Sequence, residues 1–572
     1  MKRIPAALLF FSAMGLFILS GCGLLAEPEI PGYVRLPNHT SERSDSPDPE
    51  VFASELPQIS EDVTEIDVSS RSFAGSGVRE SDTGLEIYLP GTYRLSGESS
   101  EFVLSVDLLD DESPVTLLFD GVSISSEYVS PVFLPRASEC FIICLEGTSN
   151  SISGGGVPNA ADVNAALWSL GNLYICGGEL SVSGGFDNAV SSKDEFRLFG
   201  SYLTVSAPDD GIAGRDAVIS DSSRITAHVG GDAVKATNLE SGCVLMQNTE
   251  LFIRSGLDGI DGCSYLFMSG CTADIVSGGG HLAVPLKIDD VPRVYDPLKP
   301  SYKALKAAGP VRLENCTVTA DCSDDCLHSD MDLTVSGCTL SLMTSDDGLH
   351  ANGTLTIQNT TADIGYCYEG LEGSSIYIEN LNASIIASDD GANASKIGGE
   401  FVFNSGYCFM VCAGDGIDSN GSITQNGGTI VINGPTPDYN SVLDFFLDSG
   451  CRINGGTYIS SGASGMALVP EASETAVVLS LVFSSQIQEN IPITLTDGDG
   501  NLLVCFCPEK AWQNFQFSSP ELQKGMTVRV YLGGTAGELS DCVSEKAAEG
   551  GALVSEFVIS SQIVEKTVVL SD

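Results

Sequence analysis

The chain has 572 residues and a strongly acidic composition, with 27 Lys and Arg against 76 Asp and Glu and a formal net charge of −49 at pH 7. Such a molecule repels nucleic acid and anionic lipid headgroups, and its natural small partners are cations. Its basic residues are also too few and too scattered to form a phosphate-binding stripe, so nucleic-acid binding is excluded.

The N-terminus has the pattern of an export signal. Lys2 and Arg3 precede an apolar run that is too short to span a bilayer comfortably, and the run ends in Leu19-Ser20-Gly21-Cys22. This ending is similar to the lipobox of bacterial lipoproteins. The similarity implies that residues 1–21 are a lipoprotein signal peptide and that a lipid on Cys22 anchors the mature chain to the extracellular face of a membrane. A plain secretory signal with an incidental cysteine is the alternative, and both predict export.

Residues 22–80 are predicted to be a disordered tether. They contain six prolines among Ser, Asp and Glu, with little hydrophobic periodicity. A flexible chain of about 55 residues has a root-mean-square span of roughly 40 Å, which is enough to hold a domain away from a membrane.

Residues 81–471 are predicted to form a right-handed parallel β-helix of the all-β class. A phrase made of an acidic or polar residue, a tiny residue, an apolar residue and a polar residue, as in Asp347-Gly348-Leu349-His350, recurs through this stretch. Its first position falls at residues 188, 210, 232, 258, 303, 325, 347, 369, 390 and 415. This short and steady period is typical of a solenoid, and the alternation in Thr354-Leu355-Thr356-Ile357 is typical of a strand. Each coil therefore holds two or three short strands and stacks ~4.8 Å from its neighbour.

Two segments depart from this repeat. The interval between residues 258 and 303 is twice as long as most others and leaves room for a loop, assigned to residues 281–301. From residue 472 the phrase disappears, and residues 472–572 are predicted to form a small antiparallel β cap that protects the end of the solenoid.

The phrase also predicts two ladders of polar side chains along one edge, because its first and fourth positions are expected to face outward. Carboxylates stacked ~5 Å apart repel by roughly 3 kcal/mol at an effective dielectric near 20, so such a ladder needs positive charge or protons. Lys235, Lys303 and Lys306 supply charge at the earlier positions, but the ladder positions from Asp347 to Asp418 contain no Lys or Arg. A bound cation is expected there most of all, and calcium, with about six to eight oxygen ligands, suits carboxylates one coil apart. The alternative for any single aspartate is an ordinary turn role, in which the side chain bonds its own backbone.

Cysteine and histidine leave two points open. Without Cys22 the chain has 17 cysteines; Cys316 and Cys338 lie one coil apart and are predicted to stack as small apolar residues, although such a pair is close enough in principle to bond. His328 and His350 lie in register beside acidic first positions. They suit either a transition-metal site or outward polar corners.

The most distinctive sequence motifs of the chain lie in five segments: Gly91-Thr92-Tyr93, Asp209-Asp210-Gly211-Ile212, Asp346-Asp347-Gly348-Leu349-His350-Ala351, Tyr368-Glu369-Gly370-Leu371-Glu372-Gly373 and Gly414-Asp415-Gly416-Ile417-Asp418. Together they resemble the bacterial β-helix lipoproteins described as carbohydrate-binding domain-containing proteins, over residues 85 to 540 or so. The resemblance implies a pectate-lyase-like β-helix without established catalysis, binding to cellulose and acidic sugars, and bound calcium. The chain departs from the family pattern at Cys326, which replaces a smaller corner residue, and at Asn188-Ala189, which lacks the glycine.

The acidic residues at matching or ladder positions are the candidate calcium ligands: Asp209, Asp210, Asp258, Asp261, Asp346, Asp347, Glu369, Glu372, Asp389, Asp390, Asp415 and Asp418. Aromatic rings stack on sugar faces in many binding sites, and Tyr366, Tyr368 and Trp168 are the candidates for that role.

The leading hypothesis is a non-catalytic, calcium-dependent polysaccharide-binding lipoprotein on the outside of the cell, with cellulose or a polyuronate as its partner. Calcium shared between corner carboxylates and uronate groups would reconcile an acidic protein with an acidic sugar. The rival hypothesis is a calcium-dependent polysaccharide lyase, which needs a base near the metal. The candidate bases are Lys235, Lys303, Lys306 and Lys396. A structural adhesin or spacer is the third hypothesis and predicts no glycan binding.

Overall fold

The computed structural model describes residues 47, 49–52, 59–60, 62–109, 113–154, 162–286, 300–471, 473 and 476–570. These residues belong to one compact unit that spans 39–572. The predicted signal peptide 1–21, Cys22, most of the tether and residues 287–299 of the predicted loop lie outside the described residues. In the described part of the chain, no helix has the length and apolar character needed to cross a membrane.

The strands that precede the regular repeats are β1 (Val63–Asp67), β2 (Ser72–Ala74), β3 (Val78–Glu80), β4 (Gly84–Ile87), β5 (Gly91–Ser99), β6 (Val103–Asp107), β7 (Val115–Ser125), β8 (Val132–Arg136), β9 (Glu139–Cys144) and β10 (Ser149–Ser153). The first regular coils contain β11 (Ala165–Ser169), β12 (Asn172–Cys176), β13 (Glu179–Ser183), β14 (Asn188–Ser192), β15 (Glu195–Phe199), β16 (Tyr202–Ala207), β17 (Ile212–Gly214), β18 (Ala217–Asp221), β19 (Arg224–Val229), β20 (Val234–Ala236), β21 (Cys243–Gln247), β22 (Glu250–Ser255), β23 (Ile260–Asp261), β24 (Tyr265–Ser269) and β25 (Thr272–Ser277).

The later coils contain β26 (Leu305–Ala307), β27 (Val311–Glu314), β28 (Thr317–Cys322), β29 (Leu327–Ser329), β30 (Leu333–Ser336), β31 (Thr339–Thr344), β32 (Leu349–Cys367), β33 (Leu371–Ala387), β34 (Ala392–Ala394), β35 (Glu400–Phe403), β36 (Gly406–Cys412), β37 (Ile417–Ser419), β38 (Ser422–Gln425), β39 (Thr429–Asn433), β40 (Leu443–Phe445), β41 (Cys451–Ile453) and β42 (Thr457–Gly462). The C-terminal strands are β43 (Val478–Ile487), β44 (Ile493–Asp497), β45 (Leu502–Phe506), β46 (Trp512–Ser518), β47 (Thr527–Leu532), β48 (Ala552–Val558) and β49 (Ile563–Val568).

Each strand of the regular coils pairs in parallel with the equivalent strand one coil further along, so the coils form three sheets. The edge sheet carries the phrase and contains β14, β17, β20, β23, β26, β29, the starts of β32 and β33, β34, β37 and β40. The second sheet contains β12, β15, β18, β21, β24, β27, β30, the middles of β32 and β33, β35, β38 and β41. Leu327, Leu349 and Leu371, which hold the same position in successive phrases, are directly paired. The predicted all-β parallel β-helix, with one phrase in each coil, is therefore confirmed.

The phrase folds this way because its apolar position fills the core and its tiny position allows the backbones of adjacent coils to approach closely. The third-position side chains of Leu327, Leu349 and Leu371 are fully buried in the core that runs along the solenoid. A Cβ atom added to Gly370 would lie 2.5 Å from the carbonyl oxygen of Gly391. The second position is therefore tiny because the backbones of adjacent coils approach closely there, without any need for a positive φ.

The start of the solenoid corrects the predicted boundary at residue 81. Strand β1 begins at Val63 and pairs in parallel with β5, so part of the predicted tether belongs to the fold. Further upstream, the 3-10 turn Pro49–Phe52 buries Val51 and Phe52 against an apolar patch on the outward side of the second sheet. The ring of Phe52 lies 6.3 Å from that of Phe267, and Arg197 Nη1 donates to the carbonyl oxygen of Val51 at 3.0 Å. Sequence periodicity missed this contact because its two sides are far apart in the chain.

The C-terminal strands cover the last coil. Strand β46 pairs antiparallel with both β42 and β43, and β43 pairs with β49. A separate antiparallel sheet has the order β45-β44-β47-β48. Because β46 occupies the hydrogen-bonding edge of β42, the last coil offers no open edge at that strand.

The cysteines serve as core residues. All 17 from Cys140 to Cys542 are buried, and none of them forms a disulfide. The backbone N–H of Cys316 donates to Cys338 Sγ at 3.4 Å, which confirms the predicted stacking one coil apart.

Candidate functional site

The first positions of the phrase form a row that we call the inner row: Asp210, Asp232, Asp258, Asp325, Asp347, Glu369, Asp390 and Asp415. In most of these residues one carboxylate oxygen accepts the backbone N–H of the first position one coil further on. Asp347 N–H donates to Asp325 Oδ1 at 3.1 Å, and Glu369 N–H donates to Asp347 Oδ1 at 3.2 Å. The corner amides are buried and need an acceptor, which the side chain of the preceding coil supplies.

The prediction that the first position faces outward is therefore wrong. Asp347 is 3 % exposed, and Asp258 only 1 %. The turn role considered from sequence, in which the side chain bonds its own backbone, does not describe these residues either, because the backbone that they bond belongs to the next coil.

The fourth positions form a second row, the outer row, in which the side chains are directly paired from coil to coil. It contains Lys235, Asp261, Lys306, His328, His350, Glu372, Asn393, Asp418 and Asp444. The predicted ladder is thus present. Asp444 was not predicted, because the first position of its own phrase is Ser441, which lacks the acidic signature.

In the upper coils, which run from Asp210 to Asp325, lysines neutralise the carboxylates. Lys306 Nζ lies 2.7 Å from Asp258 Oδ2 and 3.2 Å from Asp261 Oδ2. Burial alone would lower the pKa of Lys306, but these two carboxylates raise it well above its usual value. Lys303 Nζ likewise lies 3.3 Å from Asp325 Oδ2.

Three predicted calcium ligands therefore have a different partner. Lys235 Nζ lies 3.5 Å from Asp210 Oδ2, and Lys306 holds both Asp258 and Asp261. Oxygen atoms of Asp258 and Asp261 do lie within 4.8 Å of each other and of Asp232. The lysines already supply the charge that a cation would bring, so Asp210, Asp258 and Asp261 do not need a metal ion.

Two histidines provide the positive charge in the next coils. His350 Nδ1 lies 3.0 Å from Asp347 Oδ2 and 3.1 Å from Glu372 Oε2, and His328 Nδ1 lies 2.8 Å from Asp325 Oδ2. Burial alone would lower the pKa of His350, but the hydrogen bond to Asp347 and the surrounding carboxylates raise it to about 11. His350 therefore acts as a protonated partner of the ladder, and hydrogen bonds to Asp325 and Asp330 raise the pKa of His328 in spite of burial.

These contacts favour the second of the two roles that the sequence left open for His328 and His350, a polar corner residue and not a transition-metal ligand. The oxygen atoms of Asp347 and Glu372 and a nitrogen of His350 lie within 4.8 Å of one another, so a metal ion would have to displace a proton from the imidazole. His328 Nε2 contacts Asp330 Oδ1 at 3.0 Å, so both of its nitrogens already have carboxylate partners.

The outer row places no lysine or histidine among the lower carboxylates, which we define as Glu369, Asp390, Asp415 and Asp418. Oxygen atoms of Asp390, Asp415 and Asp418 lie within 4.8 Å of one another. Among the described residues, neither Asp390 nor Asp415 forms an ion pair with a basic side chain. Burial, followed by the charges of neighbouring aspartates, raises the pKa of Asp390 to about 9, and burial raises the pKa of Asp415 to about 7.

Glu369 adds an independent sign of a missing partner. It is 6 % exposed, and its Oε1 accepts from Asn393 Nδ2 at 3.2 Å. Its Oε2 is buried without a hydrogen-bond partner in the part of the chain that the structure describes. Burial and the charges of Asp347, Glu372 and Asp390 raise its pKa well above the usual value. A buried carboxylate oxygen in this state favours a proton or a cation.

The remaining predicted ligands are dispersed. Asp346 has an oxygen within 4.8 Å of oxygens of Asp324 and Asp325, close to Lys303. Asp389 is half-buried beside Asp390, and Asp209 is exposed. In the described residues Asp209 and Asp389 belong to no group of clustered ligand atoms.

Two of the three predicted sugar-stacking rings are buried, so those assignments are wrong. Tyr368 is 1 % exposed. Trp168 is 5 % exposed, lies 5.4 Å from the ring of Phe133 and donates from Nε1 to the carbonyl oxygen of Asp162 at 3.1 Å. Tyr366 is half-buried, with its ring 4.9 Å from that of His281. Residue type alone does not predict whether an aromatic ring at a corner points into the core or toward solvent.

Residues 81–348 match the family model of "Carbohydrate-binding domain-containing protein". The resemblance to carbohydrate-binding domain-containing proteins is confirmed over that segment. A curated relative with the same family name, from Acetivibrio thermocellus, is 26 % identical over 137 residues, which cover 23 % of this chain and 48 % of the relative. The chain thus spans about half the length of this relative. The lower carboxylates lie beyond the matched segment.

A solved structure described as a "polysaccharide lyase-like protein from C. thermocellum, Gadolinium derivative" is also similar. It is 17 % identical, with 56 % of this chain and 96 % of that chain covered and a TM-score of 0.27. With a TM-score this low, the likeness carries no argument about function.

Proposed function

We propose that this protein is a non-catalytic, calcium-dependent polysaccharide-binding lipoprotein of the cell surface, with calcium held by the lower carboxylates. The single observation that carries the calcium part is the change along one ladder. Lysines or histidines compensate the carboxylates as far as His350, whereas Asp390, Asp415 and Asp418 converge without a basic outer-row residue. The carbohydrate part rests on the family match over residues 81–348.

The donor set suits calcium. Calcium accepts carboxylate and carbonyl oxygens at about 2.3–2.6 Å with flexible geometry, whereas magnesium demands a near-ideal octahedron that a coil-spaced ladder supplies less easily. A divalent cation among Asp390, Asp415 and Asp418 would also offset the burial and the repulsion that together raise the pKa of Asp390.

Calcium also supplies a route to the glycan. At a net charge of −49 the protein as a whole repels polyuronates, so an acidic sugar needs a local positive charge. An ion shared between a ladder carboxylate and a sugar carboxylate reverses the sign of the local interaction. Cellulose, which is neutral, is the second candidate partner and needs no such bridge.

The absence of catalysis is part of the proposal, and the state of the lysines supports it. A lyase base must lose its proton near neutral pH. The charges of ladder carboxylates raise the pKa of Lys235, Lys303 and Lys306 in spite of burial, so these three are poor bases. Lys396, the fourth candidate, is exposed on a loop.

The test uses residues 22–572 with Cys22→Ser, which prevents lipidation but keeps the docked N-terminal segment. The protein is sedimented with insoluble cellulose and with polygalacturonate coupled covalently to beads, in calcium or in chelator. We expect binding to the uronate beads that is strong in calcium and much weaker in chelator, and Asp390→Asn/Asp415→Asn should reduce binding in calcium to the level seen in chelator. Asp209→Asn, an exposed aspartate outside the clusters, is the matched control. Protein that stays in the supernatant with both materials would favour the adhesin or spacer hypothesis, and release of unsaturated uronate would favour the lyase.

A further inference from the structure

A polar cleft opens on the second sheet, one corner away from the lower carboxylates. It encloses about 330 Å³ and lies across β35, β38 and β41. The side chains that line it include Glu400, Ser422, Thr424, Ser449 and Arg452. This volume is at the lower end of the range for small-ligand sites and fits one or two sugar rings.

A long stretch of chain around the cleft contains two basic residues, and one of them lines the cleft. Between Arg312 and Lys510 the sequence contains just two Lys or Arg residues, Lys396 and Arg452. Arg452 lines the cleft, and Lys396 is exposed two residues before Gly398, which also lines it. The rest of this long acidic stretch has no Lys or Arg, so this placement indicates an anionic ligand.

Arg452 is available for such a ligand. Its side chain is 60 % exposed, and its one ion pair in the described structure is with Glu471, at 3.3 Å. Exposed pairs of this kind contribute about 0–1 kcal/mol, so a better-matched carboxylate displaces Glu471 at little cost. A guanidinium can hold a carboxylate through two parallel hydrogen bonds.

The rim supplies the other features of a saccharide site. Tyr377 is 37 % exposed, and its hydroxyl donates to Glu400 Oε2 at 2.9 Å. Ile397 and Phe446, from loops that border the cleft, are 81 % and 44 % exposed. An aromatic ring beside polar groups offers a stacking surface for the apolar face of a sugar.

The cleft and the lower carboxylates share their coils. Strands β34, β37 and β40 carry Asn393, Asp418 and Asp444 on the edge sheet. The chain then turns one corner and enters β35, β38 and β41, which form the cleft. A polymer that crosses this corner therefore meets both surfaces.

We propose that the cleft is a subsite for one acidic sugar of a polyuronate, with Arg452 binding the carboxylate. Lys396 adds a second positive charge, the hydroxyl groups of Ser422 and Thr424 bond the sugar hydroxyls, and Tyr377 stacks on the ring. This inference rests on the carbohydrate part of the proposed function but does not require the calcium part.

The test is isothermal titration of the same Cys22→Ser protein with an oligogalacturonate, in calcium and in chelator. We expect Arg452→Gln to weaken binding at least tenfold in both buffers, Arg452→Lys to weaken it less, and Tyr377→Ala to weaken it severalfold. Arg529→Gln, which removes an arginine paired with Glu556 in the C-terminal sheet, is the matched control and should bind as the parent does. Unchanged thermal unfolding of Arg452→Gln, with its calcium response intact, shows that the fold and the ion site are preserved.

The outcomes separate the two proposals. If the parent binds oligogalacturonate and Arg452→Gln binds equally well, the cleft assignment is overturned while the proposed function stands. If the parent binds cellulose but no oligogalacturonate, the acidic-sugar subsite is likewise overturned. If the parent binds neither glycan, both proposals fail.

Discussion

The upper and lower coils of the edge sheet share one backbone arrangement but balance their charge in different ways. In the upper coils Lys303 and Lys306 are built into the rows and lie within 3.3 Å of the carboxylates that they neutralise. In the lower coils the outer row offers Asn393 and Asp418 instead, and Asp390 and Asp415 have raised pKa values. The inner-row hydrogen bonds to the next coil continue through both regions.

This contrast separates the structural role of the phrase from its binding role. In most coils one carboxylate oxygen of the first position bonds the backbone of the next coil, so that contact maintains the solenoid; Glu369, which bonds the Asn393 side chain, is an exception. What differs is the group that faces the second oxygen. A lysine neutralises the carboxylate charge of its coil. Where a carboxylate or an amide faces the second oxygen instead, that charge needs an added cation or a proton.

The largest expected effect comes from removing a built-in cation. Lys303→Met leaves Asp325 and Asp324 without their shared ammonium group, and loss of one partner of a buried pair costs about 3–5 kcal/mol. Urea unfolding in chelator measures this loss. Lys396→Met, on an exposed loop, should stay within about 0.5 kcal/mol. Equal stabilities of the two variants would contradict the role assigned to the upper lysines.

The second expected effect is stabilisation by calcium through the lower coils. A ligand at about 100 times its dissociation constant stabilises the folded state by about 2.7 kcal/mol. Thermal unfolding of the parent should therefore shift upward with calcium, and Asp390→Asn/Asp415→Asn should lose the shift. Asp209→Asn should keep it. A shift that survives in the double variant would locate the ion elsewhere.

The third expected effect is a pH dependence with one sign at Asp390 and Asp415 and the opposite sign at Asp325. The folded pKa values of Asp390 and Asp415, about 9 and about 7, exceed the unfolded value near 3.9, so these groups stabilise the fold at low pH and lose that contribution as pH rises. Asp325 has its pKa held well below the usual value, because Lys303 and the two histidines outweigh burial, and it contributes stability that is lost only in acid.

Thermal unfolding in chelator at pH 5 and pH 8 measures this dependence. The parent should become less stable from pH 5 to pH 8 relative to Asp390→Asn/Asp415→Asn, whose amides do not titrate. Calcium should abolish the difference. Parallel pH profiles for the two proteins would show that the lower carboxylates do not carry raised pKa values.

Much of the fold was accessible from sequence because the repeat dictates it. Leu349 and Leu371 fall one period apart, and that spacing alone specifies which side chains share the core and which share the corner. The same spacing predicted that Lys306 neutralises Asp258. The repeat spacing does not predict which way the first-position side chain points, since a polar corner residue can either face solvent or bond a buried amide one coil away.

The rest of the site depends on contacts that no period encodes. Tyr368 and Trp168 are buried because of local packing, and the alternation pattern does not distinguish a corner ring that turns inward from one that turns outward. Arg452 belongs to no recurring phrase, and its importance follows only from its location beside the cleft and from the scarcity of other basic residues around it. Phe52 escaped recognition for the same reason, because the coil that it contacts, at Phe267, is distant in the sequence.

That contact of Phe52 has a mechanical consequence. The chain reaches the solenoid beside its middle coils, where Phe52 packs on Phe267, and then returns to the first coils, where Ser60 N–H lies 3.4 Å from Thr92 Oγ1. Tension applied through the residues before Pro49 would therefore act first on the contacts that Val51 and Phe52 make with the middle coils. Strand β1, whose hydrogen bonds to β5 would otherwise open one at a time under load, is shielded until those contacts slip.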